Sequence, residues 1–176
     1  MTLSQDLRYI TYSSVFVALI AAGAFLSIPI GPVPIVLQNM FVLLAGIILG
    51  PKWGLASVAI YLLIGVCGLP VFAGGKAGIG VIFGPTGGYL LGYIPAVFMT
   101  GLIAKKWKTK YIFNIFALIA GSLIIYAAGV PWLKIVTGMS WEKSFILGMY
   151  PFIPGDIVKI IAATLLTNKI KPYIKL

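Results

Sequence analysis

Histidine is absent from this chain of 176 residues, cysteine occurs once, and the only acids are Asp6, Glu142 and Asp156. Metal sites in proteins draw on His, Cys and clustered carboxylates, so this inventory argues against a protein-held metal. Nucleophile–base pairs of the Ser–His–Asp and Cys–His kinds are excluded outright. A disulfide within the chain needs a second cysteine, so Cys67 says nothing of redox compartment, and its apolar surroundings predict plain packing. Charge of either sign is scarce. Only 9% of residues are charged, against about 25% in soluble domains, which excludes a water-facing globule.

What is present is apolar: 61% hydrophobic residues and a mean hydropathy of +1.10. A hydrocarbon core of roughly 30 Å takes about 20 residues of helix per crossing, so the chain holds at most about six or seven spans. Residues 1–176 are read as a single membrane domain. The net charge of +10 does not point to nucleic acid, because the lysines flank apolar runs instead of covering one face. Asp6 and Arg8 lead directly into the first run with no small-residue cleavage site, so that run is read as a retained span.

The first run covers Tyr9 to Ile28. Three prolines in residues 28–34 (Ile-Pro-Ile-Gly-Pro-Val-Pro) then forbid helix, since each lacks the amide N–H. A second run extends from about Ile35 to Gly50, Pro51-Lys-Trp53 connects, and a third covers Gly54 to Leu69. Residues 70–88 contain seven glycines and two prolines yet stay largely apolar. Irregular apolar backbone is tolerated at membrane depth only where protein buries it or a cavity accepts it, so this stretch is a candidate wall of a binding site. The fourth run covers about Gly87 to Ala104 and the fifth Tyr111 to Val130. Residues 131–143 read as a mixed connection, 141–150 as a short interfacial helix, and the sixth span as Pro154 to about Ile170, with proline in its first turn. The expected architecture is an all-α integral membrane protein, a bundle of six transmembrane helices. With both termini cytoplasmic, the inside segments hold nine basic residues (Arg8, Lys52, Lys105, Lys106, Lys108, Lys110, Lys169, Lys171, Lys175) and the outside loops three (Lys76, Lys134, Lys143), a clear positive-inside bias.

Asp156 and Lys159 fall within the sixth span. Such a residue at a helix centre costs roughly 2.5–3.5 kcal/mol on insertion scales. Three residues apart, the two share a face and partly neutralise one another, and the first-turn position suits an anion. An ion pair that merely holds the bundle is the plain reading; a polar pocket near the outer side is the functional one. Small residues recur at Ser14, Ala18 and Ala22, and again at Gly84, Gly88, Gly92 and Ala96, spacings that let helices approach closely. The second stripe reads as internal packing; the first suits either packing or docking onto another membrane protein. Gly74-Gly-Lys76 fails as a phosphate-binding loop, because the required order of residues is missing and Ala77 follows the lysine.

Four segments in order, Gly31-Pro-Val-Pro-Ile-Val-Leu-Gln38, Gly68-Leu-Pro-Val-Phe-Ala-Gly-Gly75, Gly84-Pro-Thr-Gly-Gly-Tyr-Leu-Leu-Gly92 and Pro151-Phe-Ile-Pro-Gly-Asp-Ile-Val-Lys159, closely resemble the BioY family. These are the biotin-specific substrate-binding (S) components of energy-coupling factor (ECF) transporters in the bacterial or archaeal cell membrane. The resemblance implies a six-helix bundle holding biotin near the extracellular side, surrounded by lipid, with partners comprising the transmembrane coupling protein EcfT and two ATPase subunits. It implies no cofactor, ATP being used by the partners, and a lid at residues 29–37. Asp156 and Lys159 are the implied biotin contacts. An ionised Asp156 only accepts hydrogen bonds and suits the ureido N–H groups, while Lys159 suits either the ureido carbonyl or the carboxylate. Since biotin's rings are largely apolar, Phe72, Gly74, Gly75 and Tyr89 are expected as walls, with Val33, Pro34 and Ile35 over the entrance. The Ala18-to-Ala22 step resembles the docking motif of S components, and with Ser14 is expected to face the coupling protein. The alternatives are an S component for another vitamin, or a solitary biotin transporter. A membrane enzyme would need paired catalytic groups that the chain lacks, and a structural protein would carry no ligand.

Overall fold

The computed structural model describes residues 3–106, 111–171 and 173–174. Lys108, Lys110 and Lys175 of the topology count lie outside them. In chain order the elements are α1 (Leu3–Phe25), a hairpin of β1 (Ser27–Ile28) and β2 (Ile35–Val36), α2 (Gln38–Val66), α3 (Ile79–Phe83), α4 (Gly87–Lys106), α5 (Tyr111–Thr137), α6 (Trp141–Gly148), a 3-10 turn (Tyr150–Phe152) and α7 (Ile153–Ile170). Among the described residues, five helical stretches are by length and composition able to cross a membrane: four are α1, α2, α4 and α5, and the fifth runs from Trp141 to Ile170.

One of the five is a folded hairpin. Gly50 adopts φ 78° and ψ 179° inside α2, a conformation open to glycine alone. The chain reverses there and Pro51 starts the second arm, where its missing N–H costs nothing. A Cβ placed on Gly54 would lie 3.0 Å from both the Ala45 carbonyl oxygen and Gly46 Cα, so the arms run side by side. The expected second and third spans are these arms, residues 38–49 and 51–66, and the described residues form six apolar helical passages. The first arm is buried from Val42 through Leu49, which makes it the central pillar.

Around this pillar α4 packs on α2 and on α5, α1 packs on α2, and α7 rests against both α2 and α5. Within the stripe of Gly84, Gly88, Gly92 and Ala96, the two α4 glycines serve the α4–α5 contact: a Cβ at Gly88 would lie 2.7 Å from the Ala128 carbonyl oxygen, and one at Gly92 3.0 Å from Ala128 Cβ. At one end of the bundle Tyr9 stacks on Trp53 with ring centroids 5.2 Å apart. The turn at Gly50 and the Lys105–Lys106 end of α4 gather there too. The β hairpin, the glycine-rich stretch and α6 occupy the opposite end.

Three expectations change. Residues 131–137 continue α5 instead of forming a connection; Pro131 removes one intrahelical hydrogen bond, a loss that packed membrane helices accommodate. Cys67 is exposed at the C-terminal cap of α2 and is not a packing residue. The segment between the first two helices is an ordered two-stranded ribbon, with Ser27 opposite Val36 and Ile28 opposite Ile35. The prolines between the strands end α1 and leave these short extended stretches to pair with each other.

The end of α4 closes on the hairpin turn, and a Cβ at Gly101 would lie 2.6 Å from Pro51 N and 2.8 Å from the Gly50 carbonyl carbon. Backbone cannot yield as a flexible side chain does, so Gly101→Leu is expected to destabilise the bundle by about 3 kcal/mol, at the upper end of overpacking costs. Thermal unfolding of the detergent-solubilised protein checks this, and an unchanged midpoint contradicts the close approach.

Candidate functional site

Pro154 lies in the first turn of α7, which sets Asp156 two residues later in that turn, where unpaired N–H groups favour an anion. Asp156 is buried, only 6% exposed, and its carboxylate gathers donors from three helices. Asn39 Nδ2, from the start of α2, donates to Oδ1 at 3.0 Å. Lys159 Nζ, one turn along α7, donates to the same oxygen at 3.0 Å and forms an ion pair with it. The Tyr126 hydroxyl of α5 donates to Oδ2. A carboxylate that accepts this many hydrogen bonds is fixed in direction.

This cluster forms part of the wall of a cavity of about 740 Å³, the open space at its mouth included. Val33, Pro34 and Val36 of the hairpin line it on one side, and Phe72, Ala73 and Lys76 of the glycine-rich stretch on another. From the bundle come Tyr89, Leu90 and Tyr93 of α4, and Ser122, Ile125 and Tyr126 of α5. Val81, Thr86 and Phe152 add to the rim and walls. Most of this surface is apolar, with polar groups concentrated near Asp156.

Aromatic side chains pin the irregular segments that shape the cavity. Tyr61 donates to the Val71 carbonyl at 3.0 Å and Trp132 Nε1 to that of Gly84 at 3.0 Å. Tyr89 donates to the Gly148 carbonyl at 2.7 Å, so it presents its ring to the cavity while its hydroxyl is already engaged. Phe72 meets Tyr61 edge-on, centroids 5.7 Å apart, and is 1% exposed.

Of the residues singled out from the sequence, Asp156, Lys159, Phe72, Tyr89, Val33 and Pro34 come together on the wall. Ile35, Gly74 and Gly75 do not line it. Ile35 pairs with Ile28 in the hairpin and the neighbouring Val36 lines the cavity instead, as alternation along a strand requires. Gly74 and Gly75 have φ of 72° and 71° and form the turn that bridges Phe72 to Lys76, so they shape the wall through backbone alone. Ser14, Ala18 and Ala22 do not line the cavity and lie exposed on α1. Gln38, the last residue of the Gly31-to-Gln38 segment, also belongs to the wall, as do Asn39, Tyr93, Ser122 and Tyr126, which have no motif of their own. The signal available was polarity within apolar spans, and for Ser122 and Tyr126 the i, i+4 spacing that puts both on one face.

The BioY family model matches residues 1–176. A probable biotin transporter BioY of Pyrococcus horikoshii is 43% identical over 93% of this chain and 96% of that protein. The biotin transporter BioY of Thermotoga maritima is 42% identical, covering 94% of this chain and 96% of that one. Among solved structures, the S-component for biotin from an ECF-type ABC transporter superposes with a TM-score of 0.92 at 35% identity, over 98% of this chain and 95% of the other.

The buried ion pair itself makes a stability prediction. Lys159→Met strands the Asp156 charge and is expected to cost about 3 kcal/mol, while adding Asp156→Leu recovers most of that loss, because the desolvation penalty is removed with the charge. Unfolding midpoints of the two variants without ligand check it. A double variant less stable than Lys159→Met contradicts the electrostatic account.

Proposed function

The chain belongs to the BioY family, multi-pass proteins of the bacterial or archaeal cell membrane, and from that premise we propose that it is the biotin-binding S component of an ECF uptake system. The observation that carries the reading is the cavity, with its ordered carboxylate inside a largely apolar wall. Biotin's fused rings are apolar apart from the ureido edge, and the cavity divides in the same way. The ureido N–H groups meet the Asp156 carboxylate, which accepts and does not donate. Lys159 supplies a cationic donor to an oxygen of the ligand. Phe72, Tyr89 and Tyr93 offer faces to the rings, and Val33 and Pro34 lie over them. The hairpin is the lid: it is joined to the bundle through Leu37, whose N–H bonds to the Gly23 and Leu26 carbonyls at 3.1 and 3.2 Å.

ATP enters the cycle through partners. We assign this chain neither an ATPase site nor a cofactor of its own; the turn at Gly74–Lys76 has no phosphate-loop order and its lysine faces the cavity. The partners are a transmembrane coupling protein of the EcfT kind and two ATPase subunits. Ser14, Ala18 and Ala22 supply the flat, exposed strip of α1 over which the coupling protein docks, close approach being the main source of helix association in lipid. The lysine-rich end of the bundle lies in the cytoplasm by the positive-inside rule, which sets the cavity toward the outside.

Titration of the purified protein with biotin is the test. Saturable, tight binding is expected, and Asp156→Asn and Lys159→Ala each weaken it by about tenfold to a hundredfold, the equivalent of one hydrogen bond to a charged group, about 1.5–3 kcal/mol. Wild-type affinity in both variants removes Asp156 and Lys159 from the site. A second measurement separates binding from delivery: Ala18→Trp retains biotin binding by the isolated protein but abolishes co-purification with the ATPase module and biotin uptake. Loss of binding along with uptake places the strip inside the bundle and contradicts docking.

A further inference from the structure

Among the described residues the cavity wall carries two lysines and one aspartate, an excess of positive charge. Lys159 and Asp156 pair with each other at 3.0 Å, so the excess belongs to Lys76. Within the same residues the Lys76 ammonium has neither an ion pair nor a hydrogen bond. Lys76 is exposed whereas Asp156 is buried, which sets the lysine at the mouth of the cavity and the carboxylate in its interior. A basic residue on the outer side also runs against the positive-inside bias. Of those expected there, Lys134 rests over the Trp141 ring, 5.1 Å from its centroid, and Lys143 does not line the cavity. Lys76 does.

The backbone of Lys76 is fixed although its ammonium is free. Its carbonyl accepts from the Phe72 N–H at 3.0 Å, and the Phe72 carbonyl accepts from the Gly75 N–H at 3.0 Å. The Gly78 N–H donates to the Gly65 carbonyl at 2.7 Å, which ties this stretch to α2. The Phe72 ring packs over Gly65 and leaves no room for a Cβ there. Only the lysine side chain therefore has to be ordered when an anion arrives.

Biotin is such an anion. With its ureido edge at the interior carboxylate, its methylene chain carries the ligand's own carboxylate toward the mouth. Lys159 is already committed to Asp156. Resting on the biotin reading above, we infer that Lys76 pairs with the ligand carboxylate and makes the cavity selective for free biotin over biotin held in amide linkage. The pair forms in wet surroundings, so it is worth less than a buried one and is screened by salt. What it sets is the preference between ligands that are otherwise alike.

The test titrates the full-length protein and its Lys76→Met, Lys76→Glu and Lys159→Ala variants with biotin and with biotinamide, in which a neutral amide replaces the carboxylate. The unaltered protein is expected to bind biotin about fivefold more tightly than biotinamide at low salt, near the upper end for an exposed pair. That ratio falls as salt is raised. Lys76→Met removes the preference, weakening biotin by about fivefold and changing biotinamide by no more than about twofold. Lys76→Glu reverses it, because the new charge repels the carboxylate alone. Lys159→Ala weakens both ligands and leaves their ratio within about twofold. Equal affinity of the unaltered protein for the two ligands overturns the inference and leaves the biotin reading standing. Equal weakening of both by Lys76→Met overturns it as well, assigning Lys76 to the shape of the loop. A ratio that survives Lys76→Met and is lost in Lys159→Ala also overturns it, assigning the carboxylate to Lys159. Failure of the unaltered protein to bind biotin overturns the biotin reading and this inference with it.

Discussion

A carboxylate buried within a membrane bundle has to be neutralised locally, and the arrangement of this protein's outer half answers that requirement. Asp156 is held by a lysine of its own helix, an asparagine of α2 and a tyrosine of α5. The three helices thus meet at one point, and the point is also a cavity wall. Removing any partner leaves the others oriented toward a charge they satisfy less well, so binding geometry and the packing of α7 are coupled. That coupling suits a substrate-binding subunit. The polar groups stand in position before the ligand arrives, and the ordering cost of binding is correspondingly small.

The other half of the bundle solves a different problem, that of close approach. Lipid supplies no hydrophobic drive between helices, so association rests on packing. Gly46, Gly54 and Gly101 bring the arms of α2 and the end of α4 to backbone contact, while Gly88 and Gly92 do the same between α4 and α5. A rigid, tightly packed lysine-rich end thereby carries an outer end built of a short hairpin and a glycine-rich loop. The loop is irregular but not loose: Tyr61 and Trp132 bond the Val71 and Gly84 carbonyls on either side of it.

Much of this was legible from composition. The apolar runs, the lysine bias and the proline interruptions locate the helical passages and their common polarity, and an Asp–Lys pair inside a span is conspicuous because charge there is expensive. The reversal within α2 was legible as two runs separated by Pro51. The failures have physical causes. Pro131 reads as a stop, yet in a packed bundle α5 continues through it. Gly74 and Gly75 read as wall because an irregular apolar stretch suits a largely apolar ligand, whereas their positive φ values make them the turn between Phe72 and Lys76. Asn39 and Tyr126 are single polar residues on different helices, and only the tertiary fold brings them onto Asp156.

The central claim is that the ligand's ureido edge sits at the Asp156 cluster. A structure of the protein with biotin bound tests it most directly. The account predicts the ureido nitrogens within about 3 Å of the Asp156 carboxylate, with the ring system between Phe72 and the α4 tyrosines. A ureido ring at the hairpin, with the biotin carboxylate against Lys159 and no N–H bonded to Asp156, would contradict it.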